Sequence, residues 1–186
     1  KSEIVINAIA DGVVAVDSQG AIQLINPAAQ SIVGWGKQDA LKLDYRSVVK
    51  LLAKNGEPVN ENTDPIQQVL RSNNPIATND LQLQTHSGKK LMVSVSASPV
   101  GQIGAGAIIV FRDITREKEE ERQQAEFIST ASHEMRTPVA TIEGYLGLAL
   151  NPSTAAIDAK AREYLTKAYA SIQHLGRLFQ DLLDIS

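Results

Sequence analysis

The 186 residues carry a formal net charge of −3 and 43% hydrophobic side chains, enough to bury a core but without the basic face that neutralises nucleic-acid phosphates. Cysteine is absent, which excludes disulfides, zinc–thiolate sites and thiol nucleophiles, and an aromatic share of 4% leaves any core aliphatic. No apolar run approaches the roughly 20 residues needed to cross a bilayer, and no secretory leader is visible. The chain begins "KSEIVINAIA" without an initiator methionine and stops at "DLLDIS" inside a helical pattern, so it reads as a fragment.

From residue 11 to 112 the pattern is one of short strands. "GVVAVD" (12–17), the turn "SQG" and "AIQLI" (21–25) read as a hairpin. Short helical pieces follow in "PAAQSIVG", "YRSVVKLLAK" and "DPIQQVLRS". "LQLQTH" alternates, with Leu81 and Leu83 on one face and Gln82 and Gln84 on the other; after the turn "SGKK", "LMVSVSASPV" alternates through Val93, Val95 and Ala97. "AGAIIVF" (105–111) is an apolar run of strand length. Two strands, a helical middle and three further strands predict an α+β domain over 1–112, a five-stranded antiparallel sheet with helices on one side.

After "RDIT" (112–115) the period changes to helical. The charged run "REKEEERQQAE" reads as a solvated helix face, because it leads directly into a heptad pattern. Ile128, Ser132, Met135, Val139, Ile142, Leu146 and Ala149 alternate in spacings of four and three, an a/d seam. "NPSTAA" (151–156) breaks the helix, with Pro152 as the stop and Ser153 or Thr154 available as the next N-cap. A second seam runs through Ile157, Ala161, Tyr164, Ala168, Ser171, Leu175, Leu178, Leu182 and Ile185, widened by Leu165, Ile172 and Phe179. These spacings predict a connector coiled-coil helix over 113–127 and a helical hairpin over 128–186. One hairpin leaves too much leucine exposed, so two should pair as a homodimeric four-helix bundle.

The first seam carries the stretch "SHEMRTPVATIEGY" (132–145). His133 sits just off it, so its ring should project sideways from a rigidly held backbone. Imidazole, with an ordinary pKa near 6.5, is largely neutral and nucleophilic at pH 7. Glu134 can accept a hydrogen bond from the ring and act as general base. Thr137 lies about 40° further round the helix and one turn along, where its hydroxyl can orient a water. Pro138 removes the amide that would bond the carbonyl of Glu134, and should bend the helix just past this turn.

"FISTASHEMRTPVATIEGY" resembles the H box of sensor histidine kinases, within their dimerisation and histidine-phosphotransfer (HisKA-type) domain. The preceding part resembles a PAS sensor domain in its element order, in "NPAA" (26–29) and in the closing "DIT" (113–115). The resemblance implies that His133 is the phosphoacceptor, that Glu134 assists phosphorylation from ATP and Mg, and that Thr137 positions water for dephosphorylation of a response-regulator receiver domain. The ATP-binding domain of the same protein should follow "LLDIS"; no Gly-rich phosphate loop is present, so this chain alone should not autophosphorylate. It would be the cytoplasmic portion of a membrane-anchored protein. Its stimulus and PAS ligand are not legible, and a purely structural PAS domain is an equal reading. Flavin-bonding relatives need a cysteine, and haem-binding ones place a histidine in the helical middle, where residues 27–76 have none.

His174 and His86 read as surface or packing residues, Trp35 as core or turn packing, and the three histidines form no metal set. Two rival readings stand beside the kinase: a non-enzymatic PAS and coiled-coil dimeriser, and a stand-alone phosphotransfer protein.

Overall fold

A computed structural model describes residues 9–185. Residues 1–8, assigned above to the sensor domain, and Ser186, assigned to the second hairpin helix, lie outside the described residues. The chain forms two compact units, 1–118 and 119–186.

In the first unit β1 (Gly12–Asp17) and β2 (Ile22–Ile25) form the expected hairpin. Its turn is fixed by Asp17, whose Oδ1 accepts from the amides of Gln19 and Ala21, both at 2.9 Å. Three short helices follow, α1 (Pro27–Val33), α2 (Lys37–Ala40) and α3 (Tyr45–Val48). Then come β3 (Lys50–Leu52), α4 (Pro65–Ser72), β4 (Ile76–Gln84), β5 (Lys90–Pro99) and β6 (Gly106–Asp113). The sheet is antiparallel in the order β2-β1-β6-β5-β4-β3.

The sheet has six strands rather than the five expected. "YRSVVKLLAK" is helical only from Tyr45 to Val48; Lys50, Leu51 and Leu52 then pair with Gln84, Leu83 and Gln82. The run Val-Val-Lys-Leu-Leu fits a helix period, but extended geometry satisfies the otherwise unpaired edge of β4 and still leaves Leu51 and Leu52 4% and 5% exposed.

The alternation read from the sequence places the core. Leu83, Val93, Val95 and Ala97 are buried on one face with Val14, Ile109 and Phe111, and α1, α3 and α4 cover them with Val33, Val48, Ile66 and Val69. β1 and β6 pack closely: a Cβ on Gly12 would stand 2.7 Å from the Phe111 ring, so no larger residue fits there.

Two polar side chains join elements inside this unit. The "NPAA" stretch begins with Asn26, which is 1% exposed. Its Oδ1 accepts from Ala29 N at 2.9 Å, capping α1, and from Val13 N at 2.8 Å, while Nδ2 donates to Asp11 O at 2.9 Å. The "DIT" stretch anchors the next helix: the Thr115 hydroxyl donates to Asp113 Oδ1 at 2.6 Å and accepts from Met92 N at 3.0 Å.

The last two helices are α5 (Thr115–Leu150) and α6 (Ala159–Ile185). α5 runs without a break through Pro138. In the second unit, residues 151–158 close the expected hairpin. Thr154 is not an N-cap; its hydroxyl donates back to Leu148 O at 2.5 Å, and Arg162 Nη1 donates to Leu150 O at 2.8 Å, so both satisfy the open carbonyls of α5. Asp158 caps α6 instead, accepting from Ala161 N at 2.7 Å.

The seams divide into two stripes. Ser132 and Val139 on α5 and Ile172 on α6 are buried between the helices, flanked by half-buried Leu165 and Phe179. Val139 packs on Gly176, where an added Cβ would meet its Cγ1 at 3.4 Å. Met135 and Ile142 on α5, and Tyr164, Leu175, Leu178 and Leu182 on α6, remain between 39% and 60% exposed. At about 100° per residue, Met135, Ile142, Leu175 and Leu182 are rotated from the buried stripe by roughly 60–100° in the same sense, which in antiparallel neighbours means one common side of the hairpin.

Candidate functional site

The turn of α5 that carries His133 is held by its neighbours. Ser132 is 1% exposed and Val139 7%, so the backbone between them is fixed against α6 while the side chains around the outside are exposed. His133 lies about 100° from Ser132, Thr137 about 140° and Glu134 about 160° in the opposite sense. All three are exposed and share one solvent sector.

The geometry brings His133 and Thr137 onto one face, as the spacing predicted. No hydrogen bond or ion pair joins the His133, Glu134 and Thr137 side chains among the described residues. The Thr137 carbonyl accepts from Thr141 Oγ1 at 3.0 Å, one turn beyond Pro138. The His133 side chain is open to solvent on the side away from the apolar stripe. Thr137 stands one turn along from His133 on the same face, and Glu134 directly follows His133 in the chain.

Sequence reasoning missed a contact across the hairpin, made three residues after His133. Arg136 Nη2 donates to Gln180 Oε1 across the hairpin at 2.8 Å. The two residues border a cleft of about 360 Å³ lined also by Ala140, Glu143, Gln173 and Arg177. The available signal was the position of Arg136, three residues after His133, which makes the two side chains surface neighbours.

His86 and His174 take no part. His86 is exposed, with its ring edge-on to Trp35 at 4.4 Å between centroids and its amide donating to Val33 O at 2.8 Å. Trp35 packs against the core of the first unit, as expected. His174 is exposed on α6. Among the described residues no group of three or more His, Cys, Asp or Glu could hold a metal ion, and no helix is long and apolar enough to cross a membrane.

The first unit has a cleft of about 260 Å³ beside β3, lined by Val49, Leu51, Leu52, Pro58 and Val59 with Arg46 and Asp64 at polar positions. Both polar groups are engaged: Arg46 pairs with Asp44 at 2.7 Å, and Asp64 accepts from the Tyr45 hydroxyl at 2.7 Å. Burial and the Asp64 carboxylate hold the Tyr45 phenol well above its ordinary value.

The structure is an α+β sheet unit followed by a helical hairpin that exposes His133. Residues 3–114 match the PAS fold family and residues 123–186 match the His Kinase A (phospho-acceptor) domain; the chain belongs to the PAS family and carries a HisKA domain. Among known proteins it is related to the sensor protein kinase WalK of Staphylococcus aureus, 28% identical over 185 residues that cover 98% of this chain and 41% of that one. In the JH9 strain the same identity covers 28% of the relative, so the chain spans well under half the length of these proteins. The PAS domain of nitrogen regulation protein NR(II) from Vibrio parahaemolyticus covers 61% of this chain and 97% of its own, with a TM-score of 0.50 at 19% identity. An RNA-binding light-oxygen-voltage receptor covers 72% of this chain and 38% of its own, with a TM-score of 0.55 at 15% identity. These two likenesses are of fold.

Proposed function

We propose that this chain is the sensor-to-phosphoacceptor part of a two-component sensor histidine kinase. Its parts are a PAS domain over 1–112, a connector helix over 113–127 and a dimerising phosphotransfer hairpin over 128–186. A neutral His133 nitrogen attacks the γ-phosphorus of ATP, the bond to the β-phosphate oxygen breaks, and ADP leaves. Glu134 accepts a hydrogen bond from the N–H of the other ring nitrogen and, as general base, takes that proton as positive charge develops on the imidazole. The phosphoryl group then passes to an aspartate of a receiver domain, and Thr137 orients the water that later removes it. ATP and Mg are held by a separate nucleotide-binding domain; no residue of this chain is assigned to either. The cytoplasmic side of a membrane is where such a donor and receiver are both available.

The observation that carries this reading is an exposed histidine on a turn whose adjacent Ser132 is 1% exposed. The common apolar side of the hairpin is the surface for a second copy. His133 lies on the other flank, so pairing there leaves it open.

The roles of Glu134 and Thr137 separate in one experiment on the full-length protein. Glu134→Gln should lower the rate of phosphohistidine formation by 10-fold or more. Thr137→Ala should leave that rate within about 3-fold while lowering dephosphorylation of the phosphorylated receiver by about 10-fold or more. Equal effects of both variants on both steps would contradict the division of labour.

A further inference from the structure

The polar flank of the hairpin carries a hydrogen-bonded chain that crosses from one helix to the other. Arg136 Nη2 donates to Gln180 Oε1 at 2.8 Å, and Gln180 Nε2 donates to Asp184 Oδ1 at 3.0 Å. Both ends of the Gln180 amide are used, which fixes its orientation. The cross-link lies on the same flank as His133, about 60° from it on α5, away from the apolar stripe.

Arg136 has a competing partner in reach. Residues three apart on a helix have Cβ atoms about 5–6 Å apart, and helical side chains lean toward the N-terminus, which carries the Arg136 stem toward the His133 turn. Gln180 offers Arg136 a neutral acceptor. A phosphoryl group on His133 would bring about −1.5 to −2 charges and three acceptor oxygens. Hydrogen bonds to an ionised acceptor are roughly twice as strong as neutral ones, and guanidinium can meet two phosphoryl oxygens at once. Arg177 is exposed on the far wall of the cleft, while Glu134, Glu143, Asp181 and Asp184 repel an anion, and Glu126, two turns before His133, is paired with Arg122.

We propose that Arg136 is the residue that binds the phosphoryl group of phosphorylated His133, and that Gln180 holds it in the unphosphorylated state. Phosphorylation then exchanges an interhelical bond for one within α5 and frees Gln180 from Arg136. This rests on His133 being the phosphoacceptor.

The test uses the 186-residue chain with His86→Gln and His174→Gln, so that a single histidine remains, and potassium phosphoramidate as donor. Its P–N bond breaks as an imidazole nitrogen bonds to phosphorus, and ammonia leaves with the proton. The phosphoryl ionisation is followed by ³¹P NMR against pH, and the Gln180 side-chain amide by ¹⁵N NMR. Arg136→Gln should raise the phosphoryl pKa by about half a unit or more, the Coulomb effect of one charge about 6 Å away near a wet surface. Arg177→Gln removes the same charge from the far wall and should shift it by less than about 0.2 units. Phosphorylation should move the Gln180 amide resonances to their positions in the Arg136→Gln variant, and Gln180→Leu should leave the phosphoryl pKa at or below that of the parent. A phosphoryl pKa unchanged by Arg136→Gln, or Gln180 resonances unmoved by phosphorylation, would overturn the inference alone. Failure of His133 to take the phosphoryl group, under conditions that label His86 or His174 in the parent chain, would overturn the phosphoacceptor reading with it.

Discussion

The apolar side of the hairpin gives the prediction whose size follows most directly from the structure. Leu175 is 39% and Leu178 46% exposed in the single chain. A fully buried leucine side chain contributes about 2 kcal/mol, so covering the remaining ~40% is worth about 0.8 kcal/mol per leucine. Twofold symmetry counts each position twice, which gives about 1.6 kcal/mol per substitution and about 3.2 kcal/mol for the pair. The double variant Leu175→Gln/Leu178→Gln keeps helix propensity while removing that burial, and should weaken self-association by about 200-fold. Sedimentation equilibrium over a concentration series measures it. Ile103→Ala, which removes a 74% exposed residue from the first unit, serves as control and should leave the association constant within about 2-fold. A double variant that associates as tightly as the parent, or a parent that stays monomeric throughout, would refute the assignment of this surface.

Other consequences follow from single contacts. Asn26→Ala removes three hydrogen bonds and strands the buried Val13 amide, and should destabilise the PAS unit by about 2–3 kcal/mol in urea unfolding. Gly12→Ala places a Cβ 2.7 Å from the Phe111 ring and should lower the melting temperature, whereas Gly176→Ala meets Val139 at 3.4 Å and should be neutral or raise it through helix propensity. Asp11 and Arg112 pair at 2.9 Å, and the guanidinium holds the Asp11 carboxyl below its ordinary range. A depressed folded-state pKa contributes stability above the unfolded-state value and loses it as pH falls through the folded one. Arg112→Gln should therefore melt earlier than the parent at pH 7, with the two curves converging below about pH 4.

Much of this was legible because the patterns are periodic. Alternation fixed which faces of β4 and β5 are buried, and the heptads placed both hairpin helices. Short segments were less readable. Lys50–Leu52 depends on an edge supplied by β4, some 30 residues away, which no local pattern encodes. The seam spacing described one broad stripe, but it could not show that Val139 and Ile172 are buried while Met135 and Leu175 stay open, because that division depends on the packing of one helix on the other. Asn26 was noticed only as part of a motif; its three partners come from β1, α1 and the residue before β1. The shared exposed face of His133 and Thr137 was readable from spacing within one helix. The Arg136–Gln180 bond was not, since its partners are separated by a loop and most of a helix.

The central claim is that His133 receives the phosphoryl group. The direct measurement is to incubate the full-length protein with ATP labelled at the γ-phosphate, beside a His133→Gln variant, and test the adduct for acid lability and base stability. The account predicts an acid-labile, base-stable label in the parent and none in the variant. An ATP-binding, folded dimer that takes no label, or a variant that is labelled equally, would contradict it.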